Sequence, residues 1–254
     1  MKKTVLTGSA LVMALALSAC GSSGGGSSSK TQTLTVLAAS SLTETFTDLQ
    51  KTFEQQHKGV KVTMVFDSSA TLEQQAAQQA PGDILATADK KTMDQAKTDK
   101  GISGDATEFA TNTMVLAIPA ANPAKLTSFA GIQAKGIDFL TCVPTAPCGS
   151  AAAALLKTNG ITHAPASQEV DVKSVLQKIE SGEADAGMVY VTDVTAAGAK
   201  VSSLPVPHSS DSPNTYWIAA TAGTKQAKLS QEFIALLEGR EGQGVLSKAG
   251  FGKP

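Results

Sequence analysis

The sequence predicts an α/β protein built on parallel sheet, with room for two lobes. Three observations carry that expectation. From Leu34 onward, short strand-like runs alternate with segments of helical spacing, the order from which βαβ units are made. The chain has 254 residues, 42% hydrophobic and 17% charged, which is enough apolar surface for a core and too much for a disordered chain. No segment recurs with a period of roughly 20–50 residues, so a solenoid or propeller is not expected. Two lobes suit the roughly 220 residues left after the N-terminal leader, and a single lobe would be large.

The elements follow in order. Residues 34–38 (LTVLA) are a short apolar strand, and residues 42–57 have helical spacing. Residues 60–66 (VKVTMVF) alternate at period two, as a half-buried strand does, and residues 69–79 are an Ala/Gln-rich helix. Residues 83–87 and 113–118 are read as strands, and residues 136–143 as a strand whose end carries Cys142. Residues 151–157 are helical. Val172, Val175, Leu176 and Ile179 fall at i, i+3, i+4 and i+7, a clean amphipathic helix. Residues 186–191 and 215–222 are strands, and residues 229–237 the last strong helix.

Residues 1–20 read MKKTVLTGSALVMALALSAC. Two lysines precede an apolar stretch of about the length of a signal-peptide core, shorter than the roughly 20 residues of a membrane span. The Gly/Ser run 21–29 is a flexible tether that cannot build a core. The formal net charge is −1 and Arg240 is the only arginine. No basic field for nucleic acid exists, and almost no guanidinium is available to clamp a carboxylate or phosphate. Cysteines are three: Cys20, Cys142 and Cys148. In an exported chain the close pair Cys142 and Cys148 is expected to form a small-loop disulfide. Metal ligation is the weaker option, because no His or second Cys pair lies nearby at a zinc spacing.

Nothing argues for an enzyme. His57, His163 and His208 lie in polar contexts, and HExxH, GxSxG, GxGxxG and phosphate-loop motifs are absent. What stands out is the set of strand-to-helix junctions. SSLTE opens the first helix, with Ser41 and Glu44 at capping-box spacing. DSSATL, PCGS and Asp171-Val172 open three more. Each junction offers unpaired N–H groups and the positive end of a helix dipole. In open α/β sheets such junctions gather beyond the strand C-termini, where ligands bind. Several together would hold an anion without a formal positive charge. Taken singly, Ser41 or Ser69 is equally at home as a plain helix cap.

Four motifs in register carry a resemblance. LAASSLTETFTDL, VFDSSATLEQQ, PGDILATAD and AGMVYVTD, with a closing SKAGF, are similar to the extracytoplasmic molybdate-binding proteins of molybdate ABC transporters, across residues 34–254. The resemblance implies a type II periplasmic-binding-protein fold, two α/β lobes joined by crossing hinge strands. Lobe I would comprise residues 34–112 and 213–254, and lobe II residues 113–212. It implies capture of molybdate or tungstate, delivery to an ABC permease, a monomer, no cofactor and no catalysis. The implied oxyanion ligands are the hydroxyls of Ser41, Ser69 and Tyr190 and the backbone amides of Cys148 and Val172. Leu17-Ser18-Ala19-Cys20 resembles a lipobox, implying a signal peptide over 1–19, lipidation of Cys20, a linker over 20–33 and attachment to the cell membrane from outside. Ala70 and the cysteine pair depart from the family pattern. A molybdate pocket of donors alone would reject hydrogen phosphate, whose proton needs an acceptor. Sulfate binding is the nearest alternative, since sulfate also accepts from uncharged donors and differs mainly in size. An iron site would want clustered tyrosines, and an amino-acid site an arginine. The chain offers Tyr190 and Tyr216, and Arg240 in a C-terminal helical tail.

Overall fold

The computed structural model describes residues 31–254, so the expected signal peptide, Cys20 and most of the linker lie outside the described residues. The elements are β1 Gln32–Ala39, α1 Thr43–Gln56, β2 Val60–Asp67, α2 Ser69–Ala77, β3 Ile84–Thr87, α3 Lys90–Thr98, β4 Ile102–Asn112 and β5 Met114–Pro119. There follow β6 Phe139–Cys142, α4 Pro147–Thr158, β7 Ser167–Glu169, α5 Val172–Glu180, β8 Ala186–Tyr190, α6 Val191–Ala197, β9 Val201–Pro205, β10 Asn214–Thr221, α7 Ala227–Glu238 and α8 Arg240–Ala249.

Two five-stranded sheets result, ordered β2-β1-β3-β10-β4 and β7-β6-β8-β5-β9. Both are mixed rather than parallel. β1 runs parallel to β2 and β3, but β10 is antiparallel to β3 and β4. Likewise β6 is parallel to β7 and β8, and β5 antiparallel to β8 and β9. The reason lies in the connections. The chain leaves the first sheet through β4, enters the second as β5, and comes back as β10. Each crossing strand thus joins its new sheet against the run of the βα units.

Each sheet has its own core. In the first, Phe46, Leu49 and Phe53 of α1 pack with Phe109, Tyr216 and Phe233. The Phe53 and Phe233 rings meet edge-on at 5.4 Å, a geometry that aromatic pairs favour. In the second, Val172, Val175, Leu176 and Ile179 of α5 all lie in the core with Phe139, Met188 and Val189, as their spacing requires.

Several expectations need correction. The strand read over residues 136–143 is only Phe139–Cys142, and the first strand begins at Gln32, where pairing to Val60 starts. α3, β4, β7, β9 and α6 were not anticipated, whereas the helical tail expected around Arg240 is α8. β4 is mostly exposed or half-buried from Ser103 to Glu108, too exposed to show an apolar pattern, and its long pairing with β10 is what holds it. The Ser41/Glu44 capping box does not form. Ser41 sits in a 3-10 turn, Ser40–Leu42, and the N-cap of α1 is Leu42, without a side-chain cap. Among the described residues no helix is long and apolar enough to cross a membrane.

Candidate functional site

One small cavity lies beyond the C-terminal ends of strands from both sheets. Ser41, Ser69, Cys148, Val172 and Tyr190 all line it, so the structure brings the five expected residues together. Their positions follow from the elements. Ser41 follows β1, and Ser69 is the first residue of α2 after Ser68 ends the strand turn. Cys148 is the second residue of α4 and Val172 the first of α5. Tyr190 ends β8 and is the N-cap of α6.

The hydrogen-bond accounting gives each group its chemistry. N–H groups in the first turn of a helix have no intrahelical acceptor. Those of Ser69, Cys148 and Val172 have no backbone acceptor among the described residues either. Ser69 Oγ accepts from the Ala88 N–H at 3.0 Å, so its own proton is free for another acceptor. The Tyr190 side chain is 1% exposed; the Asn214 side chain is within reach of its hydroxyl, but no well-formed hydrogen bond to it exists among the described residues. An unmet buried hydroxyl is costly. Burial pushes its pKa well above the usual tyrosine value, so it remains a donor at neutral pH. Ser41 Oγ lies 2.9 Å from the Tyr216 hydroxyl.

Charges around the cavity are already committed. Asp171 caps α5, with Oδ1 accepting from the N–H groups of Lys173 and Ser174 at 2.7 and 3.1 Å. Asp67 Oδ1 accepts from the Ser68 N–H. Lys173, beside Val172, has Nζ 2.8 Å from Glu44 Oε2 and 3.0 Å from Asp193 Oδ1. Burial disfavours its ammonium, but the charges of Asp193 and Glu44 outweigh that and raise its pKa. Asp193 is fully buried, and that burial raises its carboxyl pKa against the opposing pull of Lys173. The donors of the site are thus neutral, the carboxylates of Asp67 and Asp171 that also line it accept from backbone N–H groups, and the adjacent Lys173 is held by Glu44 and Asp193.

Cys142 and Cys148 are disulfide-bonded, closing the turn between β6 and α4. Gly149 is required there: a Cβ would run into Val143 O and lie 2.6 Å from Cys142 O. Sequence reasoning missed four contributors. Lys173 carries no motif, the capping-box spacing of Glu44 hides its pairing with Lys173, Ala88 acts through its backbone, and Asn112, with Nδ2 3.4 Å from the Tyr216 hydroxyl, ends a strand that was not anticipated. Among the described residues no cluster of three or more His, Cys, Asp or Glu could hold a metal ion.

The sequence profile of the bacterial extracellular solute-binding protein family matches residues 34–252. The molybdate-binding protein ModA of Mycobacterium tuberculosis is 37% identical over 254 residues, covering 98% of this chain and 97% of that protein. ModA of Escherichia coli is 30% identical, covering 97% of this chain and 96% of that one. The periplasmic molybdate-binding protein of Azotobacter vinelandii superposes with a TM-score of 0.77 at 22% identity, over 87% of this chain and 99% of that structure. The two mixed sheets with flanking helices are the fold of periplasmic binding proteins.

Proposed function

The chain belongs to the bacterial extracellular solute-binding protein family, and from that premise we propose that it captures molybdate, and tungstate, outside the membrane and delivers it to an ABC permease. The observation that carries this reading is the convergence of five donors on one cavity, among them a buried tyrosine hydroxyl that makes no well-formed hydrogen bond among the described residues. A fully ionised oxyanion only accepts, so it completes all five at once. Charge-assisted bonds of this kind are worth about 1.5–3 kcal/mol each, so no arginine is needed. The M. tuberculosis and E. coli relatives named for molybdate support the choice among oxyanions.

In this reading the lobes are residues 34–112 with 213–254 and residues 113–212, and the protein acts as a monomeric carrier, not an enzyme. A signal peptide over 1–19 exports it and is cut before Cys20, and lipid on Cys20 with a tether over 20–33 keeps it at the membrane, as the lipobox-like LSAC supports. Two or three acyl chains at ~0.8 kcal/mol per buried methylene make a stable anchor. Calorimetric titration of the exported protein tests the ligand. Molybdate and tungstate should bind at one site, at least about a hundredfold more tightly than sulfate, a gap of about 2.7 kcal/mol. Sulfate binding as tight as molybdate would overturn the reading in favour of a sulfate carrier.

A further inference from the structure

We propose that Asn112 and Tyr216 are positioning residues that fix Ser41 as a hydrogen-bond donor, and thereby set the site against oxyanions that carry a proton; the inference rests on the oxyanion reading above. It follows from tracing protons along three buried groups. Asn112 Oδ1 accepts from the Thr113 N–H at 3.0 Å, which turns the amide nitrogen the other way. That nitrogen can only donate, and it lies 2.9 Å from Thr192 Oγ1 and 3.4 Å from the Tyr216 hydroxyl. Tyr216 is fully buried and has one proton to place. With Asn112 fixed as donor, Ser41 Oγ at 2.9 Å is its recorded acceptor among the described residues. Donation therefore runs from Asn112 to Tyr216 to Ser41. The Ser41 oxygen is occupied as an acceptor, and its own proton is left for the cavity it lines.

Selectivity is the consequence. Molybdate at neutral pH carries no proton, and a serine held as donor suits each of its oxygens. Hydrogen phosphate carries a proton that needs an acceptor. A serine free to rotate could accept it, whereas one held by Tyr216 sets hydrogen against hydrogen. The relay itself lies in the first sheet, with Asn112 at the end of β4, Tyr216 in β10 and Ser41 after β1, and the separate bond from Asn112 to Thr192 of α6 ties it to the second. The two tyrosine rings of the site, Tyr190 and Tyr216, meet edge-on at 6.2 Å.

The test is a double-mutant cycle on the exported protein, titrated with molybdate alone and in competition with inorganic phosphate at neutral pH. Tyr216→Phe should weaken molybdate binding on the order of tenfold while Ser41 is present, and by less than about threefold in a Ser41→Ala chain. The ratio of molybdate to phosphate affinity should fall in Tyr216→Phe. Losses that simply multiply, or an unchanged ratio, would show that Tyr216 only packs and overturn the relay. Asn112→Asp, alone and with Ser41→Ala, provides a second cycle if Tyr216→Phe does not fold. Reversing the relay should cost more with Ser41 than without it, and equal costs overturn the proposal. Wild-type protein that binds no molybdate overturns the oxyanion reading itself, whereas wild-type binding with multiplicative losses overturns the relay alone.

Discussion

The two sheets are built to the same plan and equip the cavity differently. Each has three parallel strands, then an antiparallel strand arriving from the other sheet, then an edge strand. The first sheet's helices bring two serine hydroxyls, Ser41 and Ser69. The second sheet's bring two backbone amides, at Cys148 and Val172, with the phenol of Tyr190 at the end of β8. The contrast teaches what each kind of donor needs. A hydroxyl rotates and can donate or accept, so a network must fix its sense. Both serines have one: the Ala88 N–H occupies Ser69 and Tyr216 pairs with Ser41. An amide can only donate, so it is enough to hold its backbone. Asp171 does that for α5, and Gly149 packed against Val143 O with the backbone hydrogen bonds of the turn does it for α4.

The largest expected effect is on the first side. Ser69→Ala removes a donor to the anion and strands the buried Ala88 N–H, so it should lower both affinity and stability. The affinity loss is about 1.5–3 kcal/mol, and the unmet N–H costs a further ~1–3 kcal/mol of folding free energy. Calorimetry and denaturant unfolding measure the two separately. A variant with normal stability would break the comparison, because the hydroxyl would then need no fixed partner.

On the second side the two losses should separate. Val172→Pro deletes the amide proton, and proline is well suited to the first residue of a helix. Asp171 before it is already extended, at φ −149° and ψ 170°, as a residue preceding proline must be. Affinity for molybdate should fall about tenfold or more. Val172→Ala, which trims the same buried side chain but keeps the N–H, should bind normally. Equal affinity in the two variants would remove Val172 from the ligand set.

The same contrast governs what could be read from the sequence. The α/β class and the long apolar elements were legible because periodicity reports burial directly, as in α5. Ser41, Ser69, Cys148 and Val172 fall at strand-to-helix junctions, which leave a local mark, whereas the full set with Tyr190 was legible only through the family resemblance. Parallel sheet was the wrong expectation, since the sense of β5 and β10 is set by crossings between distant segments. The supporting residues left no local mark at all. Asn112 ends a strand with an exposed pattern, Tyr216 gains its meaning from Ser41 across 175 residues, and Glu44 pairs with Lys173 across 129 residues instead of capping its own helix.

The smallest effect, and the finest test of the contrast, concerns the disulfide. Cys142 and Cys148 are six residues apart, and a loop that short gains on the order of 2–3 kcal/mol at most from chain entropy. Whether the bond also preorganises the Cys148 amide depends on what else holds the turn. The backbone already does much of that. Val143 N–H donates to Glu169 O at 2.8 Å, Ala146 N–H to Val143 O at 3.0 Å and Ser150 N–H to Ala146 O at 2.9 Å. Pro144 and Pro147 stiffen the turn, and Gly149 lies directly against Val143 O. Replacing both cysteines by alanine keeps the residue-148 amide. It should lower unfolding stability by about 2–3 kcal/mol while changing molybdate affinity by no more than about threefold, under 1 kcal/mol. A tenfold loss of affinity would mean instead that the covalent bond, rather than the backbone hydrogen bonds, aims the amide. The second side would then depend on a staple as the first depends on its hydroxyl network.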